Sequence, residues 1–148
     1  MPADFKIRPA LPEDFLPVCA LLESEKLPTA DLRKDMAEFF LAVIDGKPVG
    51  SIGLDKYGSD ALLRSMVVEG SQRSKGIASA LVSQLESHSR FLNVSTLYLV
   101  TNTAENYFSR KGFVPINRNQ LPSTVAASAE FNGLCPVTAT IMRKSLTI

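Results

Sequence analysis

The residues best placed to do chemistry are Arg73-Ser74-Lys75-Gly76-Ile77-Ala78. They stand between a strand-like run, Leu62 to Val68, and an amphipathic helix expected from Ile77 to about Ser89. A strand, a short basic loop and a helix N-terminus together make an anion site. The free N–H groups of the loop and first helical turn converge there, and the helix dipole favours negative charge. Gly76 lets the backbone approach a ligand closely. Arg73 and Lys75 can add charge-assisted hydrogen bonds. The fitting guest is a phosphate or pyrophosphate.

The loop is not of the Walker type, because Gly76 follows Lys75 and no Ser or Thr comes next to hold magnesium. It is not a dinucleotide fingerprint either, since two of that motif's three glycines are missing. Taken alone, the stretch also fits an ordinary helix entry with solvated basic side chains.

The elements that would position this loop can be traced along the chain. Phe5 to Arg8 reads as a strand. Pro12 and Pro17 suit a turn and a first helical turn, and Phe15, Val18, Cys19 and Leu22 follow at helical spacing. Leu27-Pro28-Thr29 breaks that helix, and Asp31 to about Glu38 is open between a short helix and a loop. Phe39 to Ile44 and Pro48 to Leu54 are strands around Asp45-Gly46, a tight-hairpin signal. After the turn Tyr57-Gly58-Ser59-Asp60 comes a further strand, Ala61 to Val68. The helix after the basic loop places Ile77, Ala78, Leu81, Val82 and Leu85 on one side. Val94 to Val100 is the most strand-like segment, and it must run parallel to the strand before the helix if both share a sheet. A short helix over Thr103 to Arg110, ending at Gly112, precedes a strand over Phe113 to Asn117. Leu121 to Phe131 is weakly helical, and Thr138 to Met142 reads as a closing strand.

Bulk properties narrow the function. The 148 residues suit one domain spanning 1–148, with a hydrophobic fraction of 45%. A net charge of +1 gives no basic footprint for nucleic acid. No apolar run approaches membrane-spanning length and no signal-peptide pattern opens the chain, so no membrane partner is expected. Cys19 and Cys135 are far apart and fit no metal spacing, and the single histidine, His88, argues against zinc or a Ser/His triad. The expectation is a reduced, cytoplasmic protein without a metal.

The order strand, one or two helices, three-strand meander, loop and helix, strand, helix, strand and closing strand resembles the GNAT superfamily of acetyl-CoA-dependent N-acetyltransferases over almost the whole length. Leu63-x-x-Met66-x-Val68 is similar to the family's fourth strand. Arg73-x-x-Gly76-x-Ala78 is similar to its pyrophosphate loop, and Ala104 with Lys111-Gly112-Phe113 to the following helix and its exit. The resemblance implies an α/β fold: a mixed, mostly antiparallel twisted sheet of about six or seven strands, flanked by about four helices.

A narrower resemblance is carried by Leu27-Pro28-Thr29-x-Asp31-Leu32, Leu62-Leu63-Arg64-Ser65, Thr103-Ala104-Glu105 and Ala129-Glu130-Phe131-x-x-Leu134-Cys135-Pro136. These segments are similar to a branch associated with arsenic-resistance operons, whose relatives acetylate phosphinothricin and arsinothricin. It implies transfer of an acetyl group from acetyl-CoA to the primary amine of a small, anionic, amino-acid-like molecule.

The implied cofactor contacts are Met66, Val67 and Val68 beside the pantetheine arm, and Arg73, Ser74, Lys75, Gly76, Ile77 and Ala78 on the pyrophosphate. Thr101 and Phe108 follow by motif position, and Lys111 or Arg110 could meet the ribose phosphate. Two positions depart from the family. The usual general-base Glu of the fourth strand is Arg64, and the usual acid Tyr is Phe108. Tyr107 adjoins Phe108 but points about 100° away on a helix. Tyr107 and Glu130 are carried as the candidate acid and base, with Glu105, Glu25 and Asp60 as further carboxylates. Arg64 and Thr29 are the candidate substrate contacts: an inward-facing Arg can grip an anion in bidentate fashion, or can sit in a structural salt bridge to Glu38 or Asp60. The missing acid and base leave a second reading open, a CoA-binding or regulatory module without catalysis. The resemblance also leaves room for a homodimer paired through late strands.

Overall fold

The computed structural model describes residues 5–27, 29, 32–73, 76–102, 104–126 and 139–146. Seven strands form one sheet: β1 (Lys6–Pro9), β2 (Phe39–Ile44), β3 (Lys47–Tyr57), β4 (Asp60–Val68), β5 (Thr96–Thr101), β6 (Val114–Ile116) and β7 (Thr140–Ser145). Four helices are interleaved: α1 (Phe15–Ser24), α2 (Ile77–Phe91), α3 (Glu105–Arg110) and α4 (Ser123–Ala126). The strand order is β1-β2-β3-β4-β5-β7-β6. β4 and β5 run parallel, as a strand–helix–strand crossover requires, with Asp60 to Leu62 opposite Thr96 to Tyr98. The pairs β1–β2, β2–β3, β5–β7 and β6–β7 are antiparallel. This is the mixed, mostly antiparallel sheet with four helices that the sequence led us to expect.

The chain divides into two compact units, residues 1–54 with 65–88, and residues 55–64 with 89–148. In the first, Asp45 (φ +52) and Gly46 (φ +76) turn β2 into β3. Two successive positive φ values define the tight turn that Asp-Gly favours. Val18, Leu21 and Leu22 of α1 pack with Leu32, Met36, Phe39, Leu41 and Val67 into one apolar core. Gly50 marks a close approach: a Cβ there would stand 3.1 Å from the Val67 carbonyl and 3.2–3.3 Å from the Leu81 and Ile77 side chains. The segment before β2 resolves the choice left open by sequence. Its described residues form turns rather than a helix, and they bury Leu32 and Met36.

The start of α1 is tied to β1 by a two-pronged ion pair. Arg8 donates to both carboxylate oxygens of Asp14, at 2.8 and 3.0 Å, and the Leu11 N–H donates to the same carboxylate at 2.7 Å. The Arg8 guanidinium is the main cause holding the Asp14 carboxyl below the usual carboxylate range. Cys19 is a free, half-buried thiol whose pKa burial pushes up, as expected of a packing residue rather than a nucleophile.

In the second unit, Leu62, Tyr98 and Val125 form a buried cluster flanked by Tyr57, Ile116 and Leu121. Burial raises the pKa of the Tyr98 hydroxyl. The last strand begins and ends later than the sequence suggested, at Thr140–Ser145, and it inserts between β5 and β6. The helix expected over Leu121 to Phe131 is described over Ser123–Ala126 only; residues 127–131 lie outside the described residues.

Candidate cofactor and acceptor sites

The cofactor loop belongs to the first unit. Gly76 has φ +82, a left-handed conformation that favours glycine, and open space where a Cβ would stand. Its carbonyl accepts the Ala80 N–H at 3.1 Å, so Gly76 caps the 15-residue α2 directly. Ile77 is buried and Ala78 half-buried at the start of this helix. Arg73 lies at the other end of the loop with a side chain 57% exposed; it donates to the Glu25 carboxylate at 2.5 Å and to the Val68 carbonyl at 3.3 Å. Glu25, one of the carboxylates considered as a base, is thereby engaged in holding Arg73. Ser74 and Lys75 lie outside the described residues. A left-handed glycine with free space, a long helix start and an exposed guanidinium together fit a pyrophosphate.

β4 leads into this loop and is not a regular strand. Ser65 has φ +55, rare for a non-glycine residue and found where a strand bulges. The buried Ser51 hydroxyl donates to the Ser65 carbonyl at 2.8 Å. Met66, Val67 and Val68 follow the irregularity, and Val67 is buried in the core of the first unit. Side chains alternate across a strand, so an irregularity at Ser65 re-aims the backbone groups on which a pantetheine arm would lie.

Of the acceptor-side candidates, Arg64, Asp60, Glu105 and Tyr107 belong to the second unit, and Thr29 and Glu25 to the first. Arg64 is buried, its side chain 4% exposed, and its Nη1 donates to Asp55 Oδ2 at 2.9 Å. The salt bridge considered from sequence therefore exists with a different partner: Asp55 on β3, not Glu38 or Asp60. Glu38 instead pairs with His88 at 2.7 Å in the first unit, where Phe40 meets the His88 ring edge-on at 5.0 Å. His88 thus has a side-chain partner beyond the helix dipole.

The short helix α3 is held from both ends. Thr101 Oγ1 accepts the Ala104 N–H at 3.0 Å. Lys144 Nζ donates to the Lys111 carbonyl at 2.8 Å. Thr140 Oγ1 donates to Glu105 at 3.1 Å, so Glu105 is engaged as well. Phe108 is buried between Tyr107 and Phe113, with ring centroids at 5.3 and 5.5 Å, and packs inside. Tyr107 is half-buried, and the Lys111 ammonium stands 5.4 Å from its ring centroid. Thr29 donates to Glu23 at 3.2 Å in the first unit. Glu130 lies outside the described residues. Among the described residues no group of three or more His, Cys, Asp or Glu is placed to hold a metal ion, and no helix is long and apolar enough to cross a membrane.

Asp55 is the functional candidate that sequence reasoning passed over. The signal was there in part: Asp55 and Tyr57 alternate on one face of a strand, as Leu62 and Arg64 do on the next. Pairing them needed the register between the two strands.

Comparison with known proteins agrees with this geometry. The model of the acetyltransferase (GNAT) domain matches residues 35–115. No curated protein matches the sequence. Among solved structures, N-acetylglutamate synthase from Neisseria gonorrhoeae, complexed with coenzyme A and N-acetyl-glutamate, superposes with a TM-score of 0.84 at 21% identity, covering 99% of this chain and 36% of that one. The chain thus spans about a third of the length of that synthase. Rv2747 from Mycobacterium tuberculosis, in complex with CoA, gives 0.81 at 21% identity, covering 96% and 99% of the two chains. The ribosomal-protein-S18-alanine N-acetyltransferase of Escherichia coli gives 0.69 at 17% identity, covering 98% and 96%. The chain belongs to the GNAT family of acetyltransferases, whose cosubstrate is acetyl-CoA.

Proposed function

We propose that residues 1–148 act as one N-acetyltransferase domain that acetylates the primary amine of a small, anionic, amino-acid-like molecule. The single observation that carries the reading is the Gly76 loop: a left-handed glycine with open space, capping a long helix eight residues after the end of an irregular strand. Two solved relatives of similar fold support the substrate class by what they hold, CoA in both and N-acetyl-glutamate in one. Within the family we place the chain in the arsenic-resistance branch, on the four sequence segments that resemble it. A cytoplasmic setting accords with its two widely separated cysteines.

Bound acetyl-CoA would supply an acyl carbonyl activated for attack by an amine. The chain's part is to hold and polarise it. Arg73 to Ala78 would carry the pyrophosphate, with Arg73 exchanging its Glu25 contact for a phosphate oxygen. Backbone groups of Met66 to Val68 would pair with the pantetheine arm as an added strand would, and an N–H there would face the carbonyl oxygen as charge develops on it. Tyr107 would protonate the departing sulfur. Thr101, Phe108 and Lys111 would fix the helix beside it, and Thr29 and Glu130 would contribute to the acceptor side. Arg64 would place positive charge near the acceptor's anionic group.

The test is thermal unfolding with acetyl-CoA, CoA, ATP and NAD, followed by an amine panel. A ligand at one hundred times its Kd adds about 2.7 kcal/mol to stability, enough to raise the midpoint by several degrees. Stabilisation by acetyl-CoA and not NAD, then turnover with glutamate-like or phosphinate amino acids, is the expected result. Turnover with neutral amines alone would reject the substrate class. Arg64→Ala should raise KM for an anionic amine far more than for acetyl-CoA.

A further inference from the structure

A GNAT enzyme acting on an alkyl ammonium needs a group to take its proton, and the strand position that would carry one holds Arg64. Of the carboxylates considered from sequence, Glu25 is engaged with Arg73, Glu105 with Thr140, and Glu130 lies outside the described residues, while Asp60 stands at the far end of β4, four residues before Arg64. The buried Arg64 leads to another. Its guanidinium holds one oxygen of Asp55, Oδ2, and leaves Oδ1 outside that bond. Asp55 is the more exposed partner, 23% against 4%, so the pair turns a carboxylate rather than a guanidinium outward.

The surroundings make this pair costly as a structural device. Leu62, two residues before Arg64 on the same face of β4, is buried and apolar. An ion pair with a buried member is weak evidence for stability, because well-packed apolar residues of similar volume commonly serve as well or better. Asp55 and Tyr57 share one face of β3, Leu62 and Arg64 share one face of β4, and Tyr57 packs against the cluster to which Leu62 belongs. Asp55 and Arg64 therefore extend that packed face along the strands. Arg64 immediately precedes Ser65, whose backbone is left-handed, and stands two residues before Met66 in the chain.

We propose that Asp55 is the proton acceptor of the reaction and that Arg64 is its positioning residue. The inference rests on the acetyltransferase reading above and deepens it. Asp55 receives one proton from the substrate ammonium, directly or through one water. The neutral nitrogen then attacks the thioester carbonyl carbon; the C–N bond forms, the C–S bond breaks, Tyr107 gives its proton to the sulfur as CoA leaves as a thiol, and the second nitrogen proton restores the Tyr107 hydroxyl. Asp55 returns its proton to solvent.

The experiment compares two nucleophiles of the same skeleton, an α-amino acid that the enzyme acetylates and its aminooxy analogue, which is largely neutral at assay pH and needs no base. Asp55→Asn should lower kcat/KM for the amino acid by about 10²- to 10⁴-fold and for the aminooxy acid by no more than about threefold. The thermal shift with CoA should be unchanged. Equal losses on both nucleophiles would overturn the inference. Should Asp55→Asn fail to fold with Arg64 left unpaired, the double variant Asp55→Leu, Arg64→Met removes both charges together. Retained amino-acid turnover by that variant would overturn the inference, and selective loss would support it. A parent enzyme that is stabilised by no CoA species and acetylates no amine would instead overturn the acetyltransferase reading, and this inference with it.

Discussion

Ser51 donates its hydroxyl to the carbonyl of Ser65 at 2.8 Å, and Ser65 is the residue of β4 whose backbone is left-handed. A serine carries a steric penalty in that conformation of about 1–2 kcal/mol, so a hydrogen bond from a buried side chain on the neighbouring strand helps to keep the irregularity in place. Ser51→Ala should destabilise the fold by about 1–2 kcal/mol. At this chain length that lowers Tm by roughly 3–6 °C, which calorimetry would resolve. Ser65→Gly should leave stability level or slightly raised, because glycine accepts the conformation without strain.

The cofactor loop depends on backbone shape. Gly76 has φ +82 and nothing within 4 Å of where an added methyl would stand, so any effect of Gly76→Ala comes from conformation and not from a clash. A cost of about 1–2 kcal/mol in the loop corresponds to about tenfold weaker CoA binding. Isothermal titration with CoA would measure it, and a Kd within twofold of the parent would remove the loop from the cofactor site.

Gly53 is a packing glycine. A Cβ there would lie 2.5–2.9 Å from ring carbons of Phe39. Gly53→Ala should cost about 1–3 kcal/mol by overpacking. Adding Phe39→Leu should recover part of that loss, a coupling that a double-mutant cycle in urea would read out.

Acid stability should reflect the tie between β1 and α1. Asp14 is held below its ordinary pKa, first by the Arg8 hydrogen bond. A depressed folded-state value means that the stabilisation is present above the unfolded-state pKa, about 3.9, and is lost as pH falls through the folded-state value. Because Arg8 is partly exposed, solvent screens part of the gain. Asp14→Asn should therefore cost about 1–2 kcal/mol at pH 7. The gap to the parent should narrow as pH drops below about 4. Urea unfolding at pH 7 and pH 3 would check the sign; a gap that widens in acid would refute it.

Much of the fold is written locally. Asp45-Gly46 specified the hairpin because both turn positions need positive φ, and both have it. Arg73 to Ala78 specified a loop and helix start because glycine, basic side chains and an apolar helical stripe are all short-range signals. The parallel pairing of β4 with β5 followed from chain direction and the handedness of crossovers. Motif order then supplied the family.

Relations between distant residues were decided only by tertiary structure. β7 lies between β5 and β6, although β6 precedes it in the chain, because edge pairing depends on which strand buries its face best and not on order. The partner of Arg64 depends on the offset between two strands, and a shift of one residue would turn either side chain to the opposite face. Sequence therefore offered Glu38 and Asp60; the register delivered Asp55. Glu25 read as a free carboxylate until the fold brought it to Arg73, 48 residues away. Local preference is settled by neighbours a few bonds apart, so sequence alone determined the elements and the loop. Charge pairing is settled by through-space distance, so only the folded chain decided which carboxylate stands where a proton must go.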